Sequence, residues 1–368
     1  MKIIRTIHPV GQGAFYSEQF MDWKGSRKAM IVYDCGSNNT SGLMTELSSF
    51  FNKGDVIDVL FISHFHRDHT NGIKKLLALG VKIDTLVIPL INPADLWFYI
   101  YVEDIEPDLV RDPKGYCNAR RVIRVRAEGT QATDFGNNGA DAMSAEEIKS
   151  GETINIPVSN PPDWCYIPYN FEDTKRIQLL ELNLPKSINP VKLDTIIIDM
   201  DVVREIQNVY RTLCAKSKIA MNETSMMVFS GPLKEGTFFV RKWGTGAVCP
   251  QQTCRGTKKM QSGCLYFGDT NLNQKNAGKS LLDYLGSRLG CHVSKVGTVQ
   301  LPHHGAKGDY DAALFKTFPN GKLCFASFGT DNTYGHPSYL VVESVVENGR
   351  FFCGISERRN SGLQAFIQ

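Results

Sequence analysis

His64-Phe65-His66-Arg67-Asp68-His69 puts three imidazoles and a carboxylate into six residues, directly after an apolar run. That run, Val56-Ile57-Asp58-Val59-Leu60-Phe61-Ile62, is rich in β-branched and aliphatic residues and reads as a buried strand. On an extended exit from the strand, the side chains of residues 64, 66 and 68 fall on one side, because successive residues alternate. His69 then opens a helical segment that Thr70 can cap, with Ile73, Leu76 and Leu77 at helical spacing and Gly80 closing it. Six of the eight histidines of the chain fall in three short stretches: His64 to His69, His303-His304 and His336. Isolated histidines are ordinarily surface or core residues, but this clustering reads as a metal site.

H-x-H-x-D-H is the signature of the metallo-β-lactamase superfamily, which the sequence resembles along most of its length. Tyr33-Asp34-Cys35-Gly36 is similar to the family's first motif, which implies that Asp34 supports the metal loop by hydrogen bonding without ligating. Tyr266-Phe267-Gly268-Asp269-Thr270 is similar to the strand that delivers a metal-bridging carboxylate, here Asp269. Leu301-Pro302-His303-His304-Gly305 and Asn332-Thr333-Tyr334-Gly335-His336-Pro337-Ser338 complete the pattern. P-H-H-G, the later Y-G-H-P-S and an upstream N-x-x-S, Asn222-Glu223-Thr224-Ser225, are together similar to the hydrolase domain of the ComEC DNA-uptake proteins. That branch lacks a histidine found in other lactamase-fold enzymes ahead of the bridging aspartate, and none occurs here between His69 and His292. The branch's usual Ser after P-H-H-G is Ala306 here, followed by Lys307, and its membrane channel has no counterpart in this sequence.

The resemblance implies an α/β fold, the four-layer αββα sandwich, spanning 1–368 with metals at the shared edge of two sheets. The implied ligands are His64, His66, Asp68, His69, Asp269, His336 and one or both of His303 and His304, a set that suits two divalent ions, zinc or manganese. A carboxylate between ions about 3.5 to 4 Å apart lets a hydroxide bridge them and act on phosphorus. Asp68, Asp269, His304, Asn222 and Ser225 are the catalytic group this implies, the last two hydrogen bonding near the metals or the phosphate. On an extended segment His303 and His304 point apart, so one ligates and the other meets substrate or a carboxylate. No Ser/His/Asp or Cys/His arrangement offers a protein nucleophile.

Apolar content of 42% and charged content of 21% are ordinary for a globular protein. No stretch approaches the length that spans a bilayer, and Met1-Lys2-Ile3-Ile4-Arg5 enters a strand-like pattern without a signal-peptide core, so a cytoplasmic protein with no membrane partner is expected. Cys35, Cys264, Cys324 and Cys353 lie in apolar runs and read as buried reduced thiols, while Cys249 and Cys254 lack a second pair and read as loop residues. Residues 102–190, with eight prolines and little periodicity, read as an inserted lobe or lid. Leu193 to Met200 reads as a strand with Asp199 and Asp201 at its end.

Inside the insert Arg111, Lys114, Arg120, Arg121, Arg124 and Arg126 stand within sixteen residues with one acid, Asp112. A second basic stretch joins Arg241, Lys242, Arg255, Lys258 and Lys259 around Trp243. Cations beside aromatics track a phosphate backbone and stack bases, or else form a solvated face. Arg120, Arg121, Arg124 and Lys307 are the expected nucleic-acid contacts. The reading is a metal-dependent phosphodiesterase, foremost a DNA nuclease, with a protein partner or activating protease and antiviral defence as further expectations. Its rivals are a phosphodiesterase or esterase for small molecules, phosphocholine polymers or RNA, and a catalytically silent binding protein. The oligomeric state is open.

Overall fold

A computed structural model describes residues 1–92, 105–128, 146–156, 163–171, 174–183, 200–217, 225–245, 260–276 and 279–368. The apolar runs form two sheets. Among the described residues the larger has ten strands, in the order Met260–Gln261, Phe239–Thr245, Leu363–Ile367, Lys2–Ile7, Phe15–Met21, Arg27–Cys35, Val56–Phe61, Lys82–Pro89, Arg121–Arg126 and Glu146–Lys149. From Arg27–Cys35 onward neighbours run parallel, and the others pair antiparallel. The smaller sheet has seven strands: Phe351–Ile355, Leu323–Ser327, Val296–Gln300, Gly263–Tyr266, Met227–Pro232, Trp164–Tyr169 and Ile154–Asn155.

Tyr16, Phe20, Tyr33 and Phe61 of the larger sheet pack against Trp164, Tyr166, Val228, Tyr266 and Phe325 of the smaller. On the larger sheet's outer face, the helices Thr40–Phe50 and Ile73–Ala78 lay Leu43, Leu47, Ile73 and Leu76 over Val32, Leu60 and Leu86. Leu282, Leu285, Val341 and Val345 of helices Leu281–Leu289 and Tyr339–Glu347 cover Leu265, Val299 and Cys324 of the smaller sheet. Central strands buried on both faces read as continuous apolar runs for this reason. The fold class is α/β and the architecture is the expected αββα sandwich.

One charged pair lies between the sheets. Arg5 Nε donates to Glu18 Oε1 at 2.7 Å, and the same carboxylate accepts from Tyr266 at 2.9 Å and from Tyr166 and Ser230 at 2.6 Å each.

Within 102–190, Arg121–Arg126 and Glu146–Lys149 extend the larger sheet, and Ile154–Asn155 and Trp164–Tyr169 the smaller, while Thr174–Asn183 is a helix. Asp201 belongs to the first turn of a helix, Met200–Ser217, where it pairs with Arg204, and does not end a strand. The run from 193 to Asp199, Cys249, Cys254, Arg255, Lys258 and Lys259 lie outside the described residues. Cys35, Cys264, Cys324 and Cys353 are buried free thiols. Among the described residues no helix is long and apolar enough to cross a membrane.

Candidate metal centre

The H-x-H-x-D-H segment leaves the end of Val56–Phe61 and is held by the neighbouring parallel strand. Asp34, buried at that strand's end with φ of +54°, accepts from Ser63 N and Ser63 Oγ at 2.7 Å each and from His69 Nδ1 at 2.8 Å. It clasps both ends of the loop, and bonding Nδ1 leaves Nε2 of His69 to face the centre. Burial raises the Asp34 carboxyl, against the opposing pull of His69 and Ser63. Close packing requires Gly36, where an added Cβ would stand 2.5 Å from backbone carbons of Asp68 and His69. The predicted alternation of 64, 66 and 68 holds only as far as His66: residues Arg67–Thr70 form a helical turn, from which Asp68 and His69 project. Thr70 does not cap this turn; its hydroxyl donates back to His66 O at 3.0 Å.

The smaller sheet supplies the other wall. Beyond Gly263–Tyr266, Gln300 Oε1 accepts from Phe267 N at 2.9 Å and Gly268 N at 3.1 Å, and Gly268 takes φ of +57°. Asp269 N then donates to Ser225 Oγ at 3.1 Å, and that hydroxyl lies 3.2 Å from His64 Nδ1. Four imidazoles converge on the buried Asp269 carboxylate. Its Oδ1 is 3.3 Å from His69 Nε2 and 3.7 Å from His304 Nε2, and its Oδ2 is 3.9 Å from His64 Nε2 and 3.7 Å from His303 Nε2. His304 Nε2 also lies 3.6 Å from Asp68 Oδ2, and His66 Nδ1 3.1 Å from His64 Nε2. The His336 ring stands 5.3 Å from that of His303 at the mouth of the pocket.

His303 and His304 are not on an extended segment. Both take left-handed backbone angles, φ 46° and 56°, in a tight turn that brings both Nε2 atoms toward Asp269. Nδ1 of His304 bonds the Ser327 carbonyl at 2.8 Å, and Nδ1 of His303 bonds Asp309.

These donors fit metal ions. Two sets, His64/His69/Asp269 and Asp68/His69/His304, each bring their ligand atoms within 4.8 Å of one another. Of these sets His69 Nε2, His304 Nε2 and Asp269 Oδ1, and with them His336 Nδ1, are buried and make no hydrogen bond among the described residues. Buried polar atoms are almost always bonded, so a concentration of unbonded ones marks a place for a cation. Burial opposes charge on Asp269, yet His304, His69 and His303 hold it well below the carboxylate range. Burial, with His69 and His66, holds His64 well below the usual histidine value. His303 is raised to about 9, because Asp269 and Asp309 outweigh burial.

Not every expected residue comes to the centre. Asn222 lies outside the described residues. Arg121 sits level with Thr85 and Val59, toward the strand ends away from the metal loop, and pairs with Glu146. Arg120, beside it, is bonded twice to Asp84, at 2.6 and 3.0 Å. Arg124 faces Ile88 in the sheet register, whereas Lys307 is exposed just beyond His304. Ser63, Asp309, Gln300 and Gln12, which lines the pocket, escaped sequence analysis. Only Ser63, directly before H-x-H, had a positional signal.

No family model matches the chain, and no curated protein does. Among solved structures it is similar to the metallo-β-lactamase fold protein YhfI from Bacillus subtilis, at 8% identity over 100% of this chain and 99% of that one, with a TM-score of 0.40. It is similar to the short form of human tRNase Z, at 11% identity over 90% of this chain and 93% of that one, TM-score 0.38. A subclass B3 metallo-β-lactamase isolated from a soil metagenome library aligns at 9% identity over 85% and 79% of the two chains, TM-score 0.30.

Proposed function

We propose that the chain is a metal-dependent phosphodiesterase, with DNA the substrate that the sequence resemblance favours. The observation that carries the reading is the meeting of two His/Asp donor sets at His69, beside Asp269, with inward atoms that make no hydrogen bond among the described residues. His64, His66, Asp68, His69, Asp269, His303, His304 and His336 would hold two divalent ions, zinc or manganese. When bound, such ions supply Lewis acidity toward a phosphoryl oxygen and a water that ionises near neutral pH. The chain's own groups set the geometry. Asp34, Asp309 and the Ser327 carbonyl orient His69, His303 and His304, and Ser225 fixes His64 and the Asp269 backbone together. Arg67, whose guanidinium lies 3.5 Å from Glu106 Oε1, also lines the pocket wall.

The test is incubation of metal-loaded protein with plasmid, linear duplex, single-stranded DNA, RNA and methyl p-nitrophenyl phosphate. Hydrolysis of the chromogenic diester and of DNA, abolished by chelation, is expected. Asp269→Asn should lower the rate by about three or more orders of magnitude with a much smaller change in melting temperature, since a neutral amide joins two cations poorly. Turnover that persists in chelator would overturn the reading.

A further inference from the structure

The metal pocket stands beside a second cavity. Its space of ≈ 290 Å³ shares Gln12, Asn38 and Tyr334 with a cleft of ≈ 470 Å³ walled by Thr330, Asp331 and Glu357. Cavities of this size receive small molecules or single residues of polymers. Their charge differs. The first holds the imidazoles and Arg67, whereas the second has no lysine or arginine among its described lining residues and has two carboxylates, Asp331 and Glu357. A continuous nucleic-acid backbone brings a negative charge with every phosphate and needs cations along its track. This cleft repels such a backbone and suits an uncharged group attached to a phosphate in the metal pocket.

Two residues at the junction indicate which uncharged group. Tyr334 is 69% exposed, and its ring lies 5.7 Å from that of His336 at 28°, so a flat aromatic face stands at the boundary of the two spaces, backed by a candidate ligand. Gln12 is only 9% exposed, and its Oε1 accepts from Gly329 N at 3.4 Å, which sets the plane of the amide. Its Nε2 makes no hydrogen bond among the described residues while the side chain lines both cavities. That amide nitrogen keeps contact with solvent and is available to an acceptor. An exposed aromatic platform at a cavity of this size is the chemistry on which a heterocyclic base stacks.

We propose that the second cleft is a subsite for the nucleoside of a terminal nucleotide, with the base stacked on Tyr334 and Gln12 Nε2 meeting an oxygen near the phosphate. The proposal rests on the phosphodiesterase reading and narrows it. The substrate presents an end, or is a short nucleotide ester, because the lining between Asp331 and Glu357 offers no lysine or arginine to a continuing backbone.

The test is calorimetric titration of the metal-loaded full chain with thymidine 5′-phosphate and with 2-deoxyribose 5-phosphate, which lacks only the base. Thymidine 5′-phosphate is expected to bind about tenfold or more tightly, the fold-change that stacking on one aromatic face supplies. Tyr334→Ala should bring the ratio of the two affinities toward one, and Tyr334→Phe should keep it, since a flat ring is what the base needs. Tyr334 is exposed, so neither change disturbs the core. Equal binding by the unaltered protein, or a ratio unmoved in Tyr334→Ala, overturns the subsite. The titration is independent of turnover. An intact ratio without hydrolysis of methyl p-nitrophenyl phosphate would sink the phosphodiesterase reading and leave the base subsite, and hydrolysis with equal binding would do the reverse.

Discussion

At Asp34 one carboxylate decides how a ligand is presented: it accepts from Ser63 twice and from His69 Nδ1, and so turns His69 Nε2 to the centre. Asn tolerates the same left-handed backbone, so Asp34→Asn isolates charge from conformation. Metal affinity should fall about 10- to 100-fold, as it does when the partner of a ligating histidine is lost, and titration with a competing chelator reads that shift. The ligands themselves were legible because imidazoles are scarce in this chain and gathered in three places. Asp309 was not legible. Nothing in Ala306-Lys307-Gly308-Asp309 marks it, and its bond to His303 exists only because the turn at 303–305 folds the chain back. The same turn defeats the argument from an extended segment, since alternation says nothing of two consecutive residues at positive φ.

Among the elements, the metal loop depends on how closely it lies against Arg27–Cys35 and the residue after it. Gly36→Ala should displace Asp68 and His69, because the added carbon would meet backbone and not a flexible side chain. Overpacking of this kind costs about 1–3 kcal/mol. Urea denaturation should register that loss together with weakened metal binding, and a variant that kept both would show that the contact yields. Strand Val56–Phe61 was readable from its β-branched run, and Ile73–Ala78 from its spacing. Arg121–Arg126 was hidden. Its valines and isoleucine alternate irregularly with arginines, of which Arg121 pairs with Glu146 and Arg126 with Glu147 across the sheet.

For the whole molecule, the Arg5–Glu18 pair tests whether sandwich and centre are separable. Burial raises the Glu18 carboxyl, but Arg5, Ser230 and Tyr166 bring it below its ordinary value, so its contribution is present above the unfolded value and lost as pH falls through the folded one. Glu18→Gln strands a buried guanidinium and should cost about 3–5 kcal/mol in denaturant titrations, with metal content per folded molecule retained. His8 acts in a neighbouring pH window. Burial holds it below its usual value against the pull of Glu46, so below about pH 6.5 the unfolded chain takes up a proton that the folded chain resists, and stability falls with pH. Melting temperature should drop between pH 7.5 and 5.5, and His8→Gln should flatten that slope. The two-sheet architecture was legible because the motifs carried a family resemblance, whereas the full order of its strands was not, since Lys2–Ile7 pairs with Leu363–Ile367 from the far end of the sequence. Strand Leu363–Ile367 shows what that order entails, for it fills the slot between Lys2–Ile7 and Phe239–Thr245. The sheet therefore stays split between those two strands until residues 363–367 arrive, although every candidate metal ligand precedes them in the chain.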